Sequence, residues 1–162
     1  MASTSNHHLA VRVDDVEKAA DFYENAFGAN RMMQSFVVEG DLGEMVAVGP
    51  KGTSMTILPI EFPDGGAMEL FNFAEPAHPT KPIDAWQGTL MHFAIQVEDT
   101  DAALVAAEAA GGKRIWPEVL EMGPLRIIYI HDLDGNVIEI IDGTMADVIA
   151  LTKDAFFGEK AE

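Results

Sequence analysis

Four side chains of types that bind metal ions occur as two pairs along the sequence: His8 with Glu69, and His92 with Glu139. The two histidines head similar phrases, HHLAVRVDD and MHFAIQVED. Each glutamate interrupts an otherwise apolar stretch, AMELFNF or NVIEIID. An ionised carboxylate is costly inside a buried strand unless another group compensates its charge. The recurrence therefore points to a site that needs two imidazoles and two carboxylates.

The alternation of side chains along a strand predicts that all four residues project from the same kind of sheet face. In each first strand the apolar residues after the histidine take the face that receives the next helix, so His8 and His92 lie on the other face. Glu69 and Glu139 likewise point away from their apolar neighbours. By the same alternation His7 points to the opposite face from His8, so it is not a candidate ligand. Two imidazoles and two carboxylates suit zinc, nickel, cobalt, manganese or iron(II). Such a set leaves up to two octahedral positions for a substrate with two neighbouring oxygens.

Each histidine begins the same predicted series of elements, namely a strand, an amphipathic helix and three further strands. The first predicted helix ends at Gly28, which would be its C-cap. The second begins with Thr100 as its N-cap and ends at the two glycines that follow AAEAA. The sequence between 43 and 48 fits either a short helix or a strand. The other predicted strands cover 32–38, 54–60 and 67–73 in the first half, and 114–116, 125–130 and 136–141 in the second.

The repeat predicts two βαβββ modules, at 1–73 and 91–143, joined by a proline-containing linker at 74–90. Residues 144–162 are predicted to form a C-terminal helix and a tail. One apolar face of this helix is expected to pack on the body of the protein or on a partner chain. That face consists of Met145, Val148, Ile149, Thr152 and Phe156.

The composition limits the classes of partner. The chain carries 27 acidic residues against 10 Lys and Arg, a formal charge of −17. This charge repels phosphate backbones and anionic lipids, so neither nucleic acid nor a membrane surface is expected as a partner. No apolar run approaches the ~20 residues that span a bilayer. The absence of cysteine excludes disulfides and thiolate metal sites, and without a secretion signal we expect a cytoplasmic protein.

The segments HHLAVRVDDVEKAADFYENAFG and HDLDGNVIEIID resemble the opening and closing elements of the vicinal oxygen chelate superfamily, also called the glyoxalase/bleomycin resistance/dioxygenase superfamily. The resemblance covers Asn6 to about Gly143. It implies an α+β fold in which two βαβββ modules form a cup-shaped mixed sheet, with helices on the outer face and one divalent metal per site. It also implies a homodimer, with the cup built within one chain or from modules of two chains.

The superfamily's ligand positions fall on His8, Glu69, His92 and Glu139, a set similar to that of glyoxalase I. The resemblance implies a metal-dependent lyase or isomerase that moves a proton on a small substrate chelated through two vicinal oxygens. Either Glu69 or Glu139 would be the catalytic base.

Three further residues are candidates for binding the substrate. Arg12 matches an arginine that contacts a glutathione carboxylate in glutathione-dependent members, or it pairs with one of the chain's many acids. Phe71 and Phe73 share the parity of Glu69 and either line the pocket or belong to the core.

Two other functions remain open. An extradiol-type dioxygenase would hold iron(II) with His8, His92 and Glu139, leaving Glu69 outside the coordination shell. A non-catalytic protein would only bind a small molecule.

Overall fold

The computed structural model describes residues 6–47, 49–75 and 90–158, with the backbone alone described at Phe157. The chain divides into two compact units, Met1–Pro82 and Ile83–Glu162. Each unit contains a five-stranded sheet accompanied by helices. This arrangement confirms the predicted α+β class with paired βαβββ modules. Most of the predicted linker at 74–90 lies outside the described residues, and the module boundaries stay predictions.

The first unit is built around its last strand, which lies between the first strand and its hairpin partner. Its elements are β1 (Leu9–Arg12), α1 (Val16–Phe27), β2 (Asn30–Arg31), β3 (Phe36–Val38), α2 (Gly40–Ala47), β4 (Ser54–Glu61) and β5 (Ala67–Glu75). β5 pairs with β1 in parallel and with β4 in antiparallel orientation. Both β2 and β3 pair with β4, so the predicted strand at 32–38 is wrong in extent and is replaced by two short strands. The ambiguous segment at 43–48 belongs largely to the helix α2.

The second unit repeats this topology. Its elements are β6 (Phe93–Gln96), α3 (Thr100–Ala109), β7 (Lys113–Arg114), β8 (Leu120–Met122), β9 (Leu125–His131), β10 (Val137–Ile141) and α4 (Met145–Phe157). β10 lies between parallel β6 and antiparallel β9, and both β7 and β8 pair with β9. The first of these edge strands was predicted from the sequence with different bounds, and β8 was not predicted. No helix within the described ranges is long and apolar enough to cross a bilayer.

Aspartates cap the first helix of each unit. The Asp15 carboxylate accepts two backbone N–H groups of the first turn of α1, and the Asp99 carboxylate accepts one from α3. Gly28 ends α1 with φ 70°, as predicted, because this left-handed conformation favours glycine. The predicted N-cap at Thr100 is wrong by one residue. Thr100 is the first helical residue, and its buried hydroxyl donates to the Arg126 carbonyl.

The strand registers divide each sheet into two faces, here called the helix face and the ligand face. The helix face packs against α1 in the first unit and against α3 in the second. Burying a large aliphatic side chain contributes about 1.5–3 kcal/mol, so this face is the main source of stability in each unit. Its fully buried residues are Leu58, Ile60, Met68 and Leu70 in the first unit, and Ile128, Ile130, Ile138 and Ile140 in the second.

A second helix covers one end of each ligand face. In the first unit the end of α2 packs, through Ala47, against a cluster formed by Val38, Met55, Ile57 and Phe71. In the second unit α4 packs, through Val148 and Leu151, against a cluster formed by Leu125, Ile127 and Ile141. Only part of the predicted α4 face packs in this way. Met145, Ile149 and Phe156 are exposed, and Leu151, outside the predicted face, is in contact.

Asp132 holds the turn between β9 and β10. Its buried carboxylate accepts hydrogen bonds from the backbone N–H groups of Asp134 and Asn136 and from the Asn136 side-chain amide. In the corresponding turn of the first unit, the exposed Asp64 accepts one, from the Gly66 N–H.

We expect Asp132→Ala to lower the free energy of unfolding by about 2–3 kcal/mol, because it leaves three partly buried donor groups without their charged acceptor. Asp64→Ala is the matched control and should cost less than about 1 kcal/mol, since its donor is exposed to water. Urea unfolding followed by circular dichroism measures both. Equal losses would show that the Asp132 hydrogen bonds contribute no special stability.

Candidate metal centre

The first pair of candidate ligands comes together across β1 and β5. Ala10 is the register partner of Glu69, and His8, two residues earlier on the same face, therefore lies next to the glutamate. The distance from His8 Nε2 to Glu69 Oε2 is 3.3 Å, and the side chains are 37% and 35% exposed. A water-accessible imidazole and a carboxylate thus face each other at the open end of the ligand face.

The second pair has the same construction across β6 and β10. Ala94 is the register partner of Glu139, and His92 stands two residues before it. The distance from His92 Nε2 to Glu139 Oε2 is 3.0 Å, and here the side chains are 33% and 15% exposed. The two units therefore repeat one donor arrangement, with the second carboxylate more deeply placed than the first.

The spacing within each pair fits a metal ion. For metal–ligand bonds of ~2.1 Å, two adjacent donors are about 3.0 Å apart in an octahedron and about 3.4 Å apart in a tetrahedron. The separations of 3.3 and 3.0 Å agree with these values. Within residues 6–47, 49–75 and 90–158, no group of three or more His, Cys, Asp or Glu side chains is placed to hold an ion. Each pair therefore offers two donor atoms, and the use of the four residues as ligands of one ion stays a prediction.

His7 contacts the other nitrogen of the first imidazole. The distance between His7 Nδ1 and His8 Nδ1 is 2.7 Å, which leaves His8 Nε2 facing Glu69. A partner on the second ring nitrogen fixes the tautomer and the orientation of a histidine ligand. Parity predicted that His7 is not itself a ligand, but it did not reveal this supporting contact.

Tyr129 was missed by the sequence analysis and lies directly opposite Glu139 on β9. Burial, followed by the charge of Glu139, raises the pKa of Tyr129. The Tyr129 ring contacts His92 edge to face, with centroids 5.1 Å apart, and contacts Trp116 at 4.9 Å. The second pair therefore sits in an aromatic setting.

The predicted substrate-binding residues lie along the same ligand face of the first unit. Arg12 follows His8 and Ala10 on β1, and its guanidinium lies 5.2 Å from the Phe73 ring centroid. This is the geometry of a cation–π contact. Phe71 is buried in the cluster covered by α2, and the partly buried Phe73 packs against that cluster. A role for these three residues in binding a substrate stays a prediction.

Two βαβββ units that each present an imidazole and a carboxylate at one register define a protein of the vicinal oxygen chelate class. The chain belongs to the Glyoxalase/Bleomycin resistance protein/Dioxygenase superfamily, whose sequence profile matches residues 5–140. Among curated proteins no significant match is found.

Solved structures share this fold. A glyoxalase family protein from Bacillus cereus is 25% identical, with a TM-score of 0.71 over 88% of this chain and 97% of that one. The trypanothione-dependent glyoxalase I of Leishmania major is 18% identical, with a TM-score of 0.65 over 96% and 99%. The fosfomycin resistance protein FosX of Listeria monocytogenes, solved with Mn(II) and sulfate, is 21% identical, with a TM-score of 0.59 over 92% and 99%. The superfamily thus includes metal-binding proteins and enzymes.

Proposed function

We propose that the protein is a divalent-metal-dependent lyase or isomerase that moves a proton on a small substrate held through two vicinal oxygens. His8, Glu69, His92 and Glu139 would hold the metal, which would be nickel, zinc, cobalt, manganese or iron(II). The observation that carries this proposal is the repeated His–Glu pair, at the same register in both units and with N···O separations suited to adjacent ligands.

A divalent metal bound there would supply a Lewis acid for the negative charge that develops on the substrate oxygens. The chain itself supplies the base. A carboxylate oxygen of Glu69 or Glu139 takes the proton from the C–H bond beside those oxygens, and the electron pair of that bond stays on the substrate. The same carboxylate then returns the proton to the adjacent carbon, which gives an isomer, or the other glutamate, in its protonated form, gives a proton to the opposite face, which gives an epimer.

The residues along β1 and β5 suggest how a substrate would be held. Arg12 would bind an anionic end of the substrate, and Phe71 and Phe73 would supply an apolar wall at the covered end of the ligand face. The relatives support a small-molecule substrate, since the Leishmania protein is a glyoxalase I and the Listeria protein confers fosfomycin resistance. The homodimer and the cytoplasmic location also remain predictions.

The test uses protein purified without chelators. We expect it to retain a divalent metal and to catalyse deuterium exchange at the C–H groups of hydroxyacetone in D2O, followed by proton NMR. Hydroxyacetone is the probe because it is a small hydroxyketone with two neighbouring oxygens. Stripping the metal with a chelator should remove the exchange, and adding Co²⁺ or Ni²⁺ should restore it. Protein that neither retains a metal nor catalyses exchange would contradict the proposal.

A second candidate is an extradiol-type dioxygenase with iron(II) held by His8, His92 and Glu139. The observation that favours it is the greater exposure of the Glu69 side chain, 35% against 15% for Glu139. Oxygen consumption with catechol, after anaerobic loading with iron(II), would support this function. Metal retention without either activity would instead indicate a protein that only binds a small molecule.

A further inference from the structure

We propose that Trp116 and Tyr129 form a subsite for an aromatic ring in the second unit, so that the natural substrate carries an uncharged aryl group beside its two vicinal oxygens. Trp116 is then a specificity-determining residue that contributes to binding and takes no part in the proton transfer. This inference rests on the proposed function and names the class of substrate that the sequence left open.

The rings of the second unit form a continuous series that begins at the candidate ligand His92. The Tyr129 ring lies edge to face against His92, with centroids 5.1 Å apart, and the Trp116 ring lies edge to face against Tyr129 at 4.9 Å. Two ring contacts therefore lead from the imidazole to the indole. A phenyl group is about as long as one such contact, so a phenyl on the carbon beside the chelated oxygens has the size to reach these rings.

Trp116 is held in place although its side chain is open to water. The residue is 39% exposed. The backbone N–H of the preceding residue donates to the Tyr129 carbonyl at 2.8 Å, and the Arg114 guanidinium donates to the Pro117 carbonyl at 3.0 Å. The same guanidinium makes two hydrogen bonds of 2.7 Å to Glu108 on α3. Hydrogen bonds thus hold the chain on both sides of the indole, which presents its exposed apolar surface in a fixed place.

The first unit builds the same segment without aromatic side chains. The Met32 N–H donates to the Pro59 carbonyl at 3.0 Å, which is the counterpart of the bond to the Tyr129 carbonyl. Met33 therefore takes the place that Trp116 has in the second unit, and it is 51% exposed. Because the first unit follows this backbone path with a proline and a methionine, the framework does not require the two rings. Their presence beside the second His–Glu pair is a property of the site.

The chemistry of the two rings favours an uncharged aromatic group as their occupant. Rings gain from edge-to-face or offset contacts with other rings, in addition to the burial of apolar area that an aliphatic group would also provide. The faces of aromatic rings carry partial negative charge, so an anionic group gains nothing from them. A cationic group would be repelled by the divalent metal that the His–Glu pairs are proposed to hold.

The test compares hydroxyacetone with 2-hydroxyacetophenone, which share the hydroxyketone group and differ in a methyl or a phenyl substituent on the carbonyl. With Co²⁺-loaded wild type, we expect the KM for deuterium exchange to be at least about tenfold lower for the phenyl compound. Trp116→Met installs the residue of the first unit. It should reduce this preference to about threefold or less, because the phenyl group loses its ring contact.

Ile115→Met is the matched control for this variant. It installs the corresponding residue of the first unit at the neighbouring position, which is 40% exposed. We expect it to keep the preference of wild type for the phenyl compound. Thermal melts within a few degrees of wild type would show that both variants are folded.

Binding can also be followed without catalysis, because the chain contains two tryptophans, Trp86 and Trp116. In a Trp86→Phe variant the fluorescence comes from Trp116 alone. We expect 2-hydroxyacetophenone to quench it in the Co²⁺-loaded protein and an equal concentration of hydroxyacetone to leave it unchanged. N-acetyltryptophanamide under the same conditions corrects for light absorbed by the probe and for collisional quenching.

The outcomes separate this inference from the proposed function. If the protein exchanges neither probe, the proposed function fails, and quenching of Trp116 by the phenyl compound still decides for or against the subsite. If wild type exchanges hydroxyacetone but shows no lower KM for the phenyl compound, the subsite is rejected and the proposed function stands. An undiminished preference in Trp116→Met, or an equal loss in Ile115→Met, would show that Trp116 does not select the ring.

Discussion

Glu139→Gln is expected to lower the affinity for Co²⁺ at least about a hundredfold and to abolish the exchange of hydroxyacetone protons. The substitution keeps the shape of the side chain but removes the negative charge that would compensate the ion. Losing a ligand should cost more than losing an outer partner of a ligand, for which about 10–100-fold is typical.

The matched control for this variant is Glu118→Gln, at an exposed position between β7 and β8. Both variants reduce the formal charge of −17 by the same amount, so any general effect of the acidic surface on cation binding is common to them. We expect Glu118→Gln to bind Co²⁺ within about threefold of wild type. A Glu139→Gln variant that also binds within that range would reject Glu139 as a ligand and, with it, the four-residue set.

The repeated framework was predictable because it depends on local patterns. Alternation identified the strands that follow His8 and His92, and helical periodicity identified α1 and α3 between them. The hairpin strands around Glu69 and Glu139 were recognised from apolar residues flanking one acid. These signals recur in both halves of the chain, and the agreement between the halves strengthened each assignment.

The elements that could not be predicted from the sequence depend on contacts with residues that are distant along the chain. The segment from 32 to 38 has apolar residues on both sides of Gln34 and Ser35, and two polar residues alone do not mark the interruption between β2 and β3. Short strands such as β8 gain their hydrogen bonds only from β9, and three residues show no clear periodicity. The helix α2 was ambiguous because a stretch that short fits both periods, and its contact with the apolar cluster on the ligand face decides the outcome.

The two His–Glu pairs of the candidate site were predictable from the sequence, whereas the residues that surround each pair were not. Parity placed His8 and Glu69 on one face, and the parallel register of β1 and β5 brings them within 3.3 Å. Tyr129 could not be found by counting, since a tight two-residue turn at Asp134 and Gly135 would pair Glu139 with Ile130, whereas the observed register pairs it with Tyr129. The contact of His7 with His8 depends on side-chain torsions, which strand parity does not determine.

The helix α4 packs through a face that differs in part from the one predicted from its sequence. Leu151 packs on the cluster of Leu125, Ile127 and Ile141. It also lies close to Gly123, since its Cδ2 is 2.9 Å from the point where a Cβ on that residue would be. We expect Leu151→Asp to lower the free energy of unfolding by about 3 kcal/mol, because it loses apolar burial and places a carboxylate against that cluster. Urea unfolding followed by circular dichroism measures the effect.

Ile149→Asp is the matched control, since Ile149 lies on the same helix and is exposed. It introduces the same charge at an exposed side chain outside that cluster, and we expect it to cost less than about 1 kcal/mol. A larger loss from Ile149→Asp than from Leu151→Asp would mean that α4 packs through the face predicted from its sequence. The two residues are neighbours along the helix, and only their contacts with the sheet distinguish them.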